Sequence, residues 1–94
     1  MTLSIEQLAI HMVGAQNVVR FARDAAMSEP DVRRLLSDHG FAVVNLTCHL
    51  HDRDQMLEYR MAIRTVDPAN LSRLAEALRS STVVRGFTVS PSGD

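Results

Sequence analysis

Cysteine is almost missing from this 94-residue chain. Cys48 stands alone, so no internal disulfide can form, which fits a cytoplasmic compartment. No apolar run approaches the roughly 18 residues that span a bilayer. The N-terminus lacks the cationic start and continuous apolar stretch of a signal peptide. Neither sign of charge dominates: 10 basic residues face 11 acidic ones, for a net charge of -1. That balance argues against a nucleic-acid partner, and no polybasic cluster is present to meet an anionic membrane. Aromatics are few: Phe21, Phe41, Tyr59 and Phe87. An RNA-recognition sheet displays aromatics for base stacking, whereas Tyr59 and Phe87 fall on faces expected to be dry. There is no CxxC loop, no glycine-rich phosphate loop, and no Ser-His-Asp or paired-carboxylate spacing. No catalytic residue and no cofactor follow from the sequence, and an enzyme has only the versatility of the fold behind it.

What is present is 46% hydrophobic residues, enough for the core of one domain. Ser28-Glu29-Pro30-Asp31 reads as a helix start, with a capping serine, proline in the first turn and acids at the positive end of the dipole. Val32, Leu35 and Leu36 continue at helical spacing, and Gly40 stops the helix. Phe41 to Leu50 reads as a strand whose alternation assigns Ala42, Val44, Leu46, Cys48 and Leu50 to the core face. Residues 51–55 form a polar turn. In the strand over 57–66, Leu57, Tyr59, Met61 and Ile63 make a dry face, while Glu58, Arg60, Ala62 and Arg64 make a wet one. A short turn between two such strands predicts an antiparallel hairpin. Asp67 and Pro68 start a second helix with Leu71, Leu74, Ala75 and Leu78 as its apolar stripe. Val83 to Val89 closes the domain as a strand with Phe87 and Val89 on one face. NVVRFARDA, residues 17–25, fits a strand with Val19 and Phe21 inward, and its spacing also fits a helix; we favour the strand. Residues 1–16 are read as an N-terminal segment or linker, and 17–94 as the folded domain. The order βαββαβ predicts an α+β, ferredoxin-like or ACT-like fold: four antiparallel strands with two helices on one face.

Residues 47–52 read TCHLHD, which raises the question of a metal. Strand parity sends Cys48 to one face and His49 and His51 to the other. The two histidines alone make a weak metal candidate, since structural zinc takes about four ligands. Cys48 reads as a small core residue. Isolated His11 and His39 read as surface residues. On the wet face, Glu58, Arg60 and Arg64 are candidates for a partner surface. The edge strand over 41–51 offers unpaired backbone groups for a homodimer. ACT-type sensors share this topology and bind amino acids near the loop after the first strand, often at a glycine; here that loop, residues 26–30, has none.

The stretches EPDVRRLL, residues 29–36, and LEYRMAIRTVDPANLSRLAEALRSSTVVRGFTVSPSGD, residues 57–94, resemble the cytoplasmic, ACT-like tail of the MgtC/SapB family of membrane proteins. The resemblance implies a regulatory or interaction domain tethered to the bacterial inner membrane, with the membrane domain of the same protein as a partner. It also implies a link to growth in scarce magnesium and to virulence. It supplies no catalytic residues, and the scattered acids form no octahedral magnesium cage. The alternative reading is a small-molecule sensor of the amino-acid type, its ligand unidentified.

Overall fold

Local capping chemistry sets both helices. Ser28 Oγ accepts the Asp31 N–H at 3.3 Å and opens α1 (Glu29–Asp38). At the other end Gly40 takes φ +86°. Its N–H donates to the Ser37 carbonyl at 3.0 Å, and the Phe41 N–H donates to the Leu36 carbonyl at 2.9 Å. That is a Schellman closure, which needs a left-handed residue at Gly40. Helix α2 (Ala69–Ser80) begins after Pro68, already at helical angles, and Asp67 Oδ1 accepts the Ala69 N–H at 2.9 Å.

The computed structural model describes residues 12–92. Strands β1 (Val13–Ala22), β2 (Ala42–His51), β3 (Met56–Thr65) and β4 (Val84–Pro91) alternate with the helices as β1-α1-β2-β3-α2-β4. A 3-10 turn, Arg23–Ala25, follows β1. The strands pair antiparallel in the order β2-β3-β1-β4, so β1 and β3 are central and β2 and β4 are edges. This is the ferredoxin-like arrangement expected from the element order. β1 starts at Val13, four residues earlier than the sequence pattern indicated, so residues 13–16 belong to the sheet. His11 and the rest of the N-terminal segment before Met12 lie outside the described residues.

Phe21, Val32, Leu36, Ile63, Leu74 and Leu78 are fully buried between the sheet and its helices. Each such side chain contributes roughly 1.5–3 kcal/mol by leaving water. The Tyr59 and Phe21 rings meet edge to face, 6.0 Å between centroids. Val19 and Phe21 point inward as expected.

Strand β2 departs from simple alternation. Val44 pairs with Ala62 and Thr47 with Arg60, so Asn45 and Leu46 together oppose one residue of β3. Asn45 sits at φ 56°, which turns the chain through a bulge. The bulge inverts parity ahead of it. Phe41 and Val43 face the helices, while Ala42 and Val44, assigned by alternation to the core, pair with Arg64 and Ala62 on the open face. Beyond the bulge Cys48 lies opposite Tyr59 on the helix side, yet Cys48 is exposed and is not a core residue. The reason is coverage: the helices bury Tyr59 on the central strand and the start of β2, and leave the end of the edge strand bare, so Leu50 is also exposed.

Candidate functional site

The register lines up one row of side chains across the open face: His49 of β2, Glu58 of β3, Arg20 of β1 and Gly86 of β4. Neighbouring strands are roughly 4.8 Å apart, so the row runs from edge to edge within reach of long side chains. Arg60 follows Glu58 by two residues on the same face, and His51 lies on the diagonal from it.

Glu58 is the centre of this face. Its side chain is 0% exposed, although it stands where alternation predicts a wet position. The polar groups against it are the side chains of Arg20, Arg60 and His51. Arg20 Nε donates to Glu58 Oε1 at 2.5 Å, Arg60 Nε donates to Oε2, and both arginines remain 52% exposed. Burial by itself would raise the Glu58 pKa. The hydrogen bonds from Arg60 and Arg20 outweigh it and hold the carboxyl at about 2, against an ordinary 4.5. His51 Nε2 is 3.5 Å from Oε2, too long for a good hydrogen bond, and has no other partner among the described residues. The two guanidiniums are the main partners of the carboxylate.

The structure brings together two of the three wet-face candidates. Glu58 and Arg60 join, whereas Arg64 lies farther along β3 opposite Gly14 and Ala42 and makes no ion pair among the described residues. His49 and His51 share the open face, apart from Cys48, as parity required. Among the described residues no three His, Cys, Asp or Glu side chains are placed to hold a metal ion. The carboxylate nearest the histidines already holds two arginines. His39, half-buried, contacts the Leu35 carbonyl through Nδ1 at 2.8 Å at the end of α1.

Sequence reasoning missed Arg20 and Arg85. Arg20 pairs with Gly86 and Phe21 with Val84, which makes Arg85 the extra residue of a second bulge, on β4. A hollow of about 310 Å³ opens there, lined by Arg20, His51, Asp54, Met56, Arg85 and Gly86. The signal for Arg20 was available. Once β1 and β3 are taken as central neighbours, opposite charges on their outward positions must meet. The loop after β1 is closed instead: Ala26 and Met27 pack on the core, and Tyr59 Oη donates to the Met27 carbonyl at 2.7 Å. Burial raises the Tyr59 pKa, which keeps the phenol a donor.

No helix among the described residues is long and apolar enough to cross a membrane. No protein-family model matches the chain, and no curated protein matches it. Among solved structures, the chain is similar to the C-terminal domain of the MgtC protein from Mycobacterium tuberculosis, determined in solution. The likeness has a TM-score of 0.65 at 18% identity and covers 87% of this chain and 89% of that one. The chain therefore has the fold of an MgtC C-terminal domain along nearly its whole length.

Proposed function

We propose that the chain is a non-enzymatic regulatory and interaction domain of the MgtC/SapB type, held at the cytoplasmic side of a bacterial inner membrane and pairing with a second copy. The observation that carries this reading is the shared fold, which spans almost all of both chains. The resemblance of residues 29–36 and 57–94 to the family tail points the same way. A role in adaptation to scarce magnesium and in virulence is part of the same proposal.

Support for self-association comes from the edge strand. Among the described residues β2 pairs only with β3, which leaves its other edge without a neighbouring strand, and its end carries exposed Leu50 and Cys48. A second copy of the strand would satisfy the backbone groups of that edge and cover Leu50. Two measurements test the proposal. The native gene product should sediment with membranes and resist carbonate extraction; release into the supernatant would refute the tether. Sedimentation equilibrium of the domain should show a dimer; a monomer at high concentration would refute the pairing.

The amino-acid-sensing alternative draws less support, because Ala26, Met27 and the Tyr59 hydrogen bond fill the loop where such ligands would sit. A ligand specific to the folded state raises the melting temperature, so amino acids at saturation are expected to leave it unchanged.

A further inference from the structure

Three cationic or imidazole side chains from three strands converge on the hollow beside the β2–β3 turn: Arg20 of β1, His51 of β2 and Arg85 of β4. Their circumstances differ in a useful way. All ten basic residues of the chain are arginines, and among the described residues seven of them pair with carboxylates. Arg85 is not among those seven. The β4 bulge carries it to the wall of the hollow, next to Gly86, which adds no side chain. Arg20 is already fixed through Nε by Glu58, so its remaining N–H groups are held in place without a carboxylate of their own. Fixing a donor in advance removes part of the ordering cost of binding. His51 Nε2 is covered, lies 3.5 Å from Glu58 Oε2 and makes no hydrogen bond among the described residues. Asp54 also lines the hollow, but makes no ion pair with either arginine.

We propose that this hollow binds a phosphate group, held between the guanidiniums of Arg20 and Arg85 with His51 alongside. A carboxylate is satisfied by one arginine fork. Donors arriving from three strands suit an anion with several oxygens pointing in different directions. Asp54 would disfavour a bare polyanion and suits a phosphate ester whose hydroxyl can donate to it. The group could arrive on a small soluble ester or on a lipid headgroup, and the chemistry of the hollow is the same for both. The hollow lies on the open face, whereas pairing through β2 uses that strand's outer edge and the helix side that carries Cys48 and Leu50; His51, the last residue of β2, is the one hollow residue on that strand.

The test is titration of the folded domain at constant ionic strength, followed by amide NMR. The probes are inorganic phosphate, glycerol phosphate, and vesicles of phosphatidylcholine with or without phosphatidic acid. Saturable shifts confined to residues around Arg20, His51, Arg85 and Gly86 are expected with at least one phosphate probe. The soluble esters and the vesicles then tell the two sources apart. Arg85→Gln, an exposed site outside the core, should weaken binding about tenfold or more, the usual worth of one charge-assisted contact. Arg64→Gln, on the same face but outside the hollow, should leave binding unchanged. No saturable shift with any probe would overturn the proposal. Equal weakening by both variants would overturn it too, since that is what diffuse charge attraction predicts.

Discussion

Replacing Glu58 by glutamine keeps the shape of the side chain and removes its charge. The folded carboxyl titrates at about 2 against an ordinary 4.5. Between those values the unfolded chain binds the proton and the folded chain does not, so stability rises with pH across that window. The contribution is fully present above pH 4.5 and is lost as pH falls toward 2. The full shift corresponds to about 3 kcal/mol; because Arg20 and Arg60 are half exposed and screened, about 1.5–3 kcal/mol is expected. Glu58→Gln should lose that amount at pH 7, where Arg20 and Arg60 would face each other without a counter-charge. Near pH 2 about half of the native carboxyl is neutral and most of the gap is gone, so the two proteins should converge as pH falls through 2. Urea unfolding of both proteins from pH 7 to pH 2 reads the difference directly, and the other carboxylates cancel in the comparison. A stability gap that stays constant across the range would refute the reasoning, and so would the absence of a gap at pH 7.

Gly40→Ala should cost about 1–2 kcal/mol, because φ +86° disfavours a Cβ and the added atom would meet Asn70 Nδ2 at 2.6 Å. In thermal unfolding that is a fall of roughly 4–15 °C, and an unchanged midpoint would contradict the closure described for α1. Tyr59→Phe should cost about 1–2 kcal/mol by leaving the Met27 carbonyl without its donor, and should speed hydrogen exchange at residues 26–28; exchange at the native rate would count against the tie. Cys48 should react with a thiol reagent in the native protein at the rate of an open thiol, and more slowly as concentration drives pairing through β2. Protection at every concentration would contradict its exposed position.

How far the sequence revealed the fold depended on the range of each interaction. The ends of α1 and α2 were legible because Ser28, Gly40, Asp67 and Pro68 act on backbone groups a few residues away. The alternation of β3 was legible because the strand is central and regular. The start of β1 was not. Gly14 and Ala15 are poor strand formers, and Asn17, where the sequence pattern began the strand, is held by donating Nδ2 to the Thr88 carbonyl on β4, a partner 71 residues away. The parity of β2 failed at Asn45, a residue type that tolerates left-handed angles, so an asparagine inside a strand pattern was the available warning.

The open face was half legible for a related reason. Alternation identifies which side of β3 is polar, and it placed Glu58 and Arg60 correctly on one face. It cannot tell that Arg20 from another strand seals Glu58, because that requires the strand order. Arg85 was hidden further, since a bulge rather than alternation aims it. Cys48 was misjudged because parity gives a direction but not the extent of helix cover above it.

At the centre of the open face stands a carboxylate that stays ionised although it is fully buried, held by Arg20 and Arg60. Carbon-detected NMR titration of the Glu58 carboxyl measures this directly. The pKa should lie well below 4.5, near 2, and should move upward when Arg20 or Arg60 is replaced by methionine. A carboxyl titrating at or above 4.5 in the folded protein would contradict it.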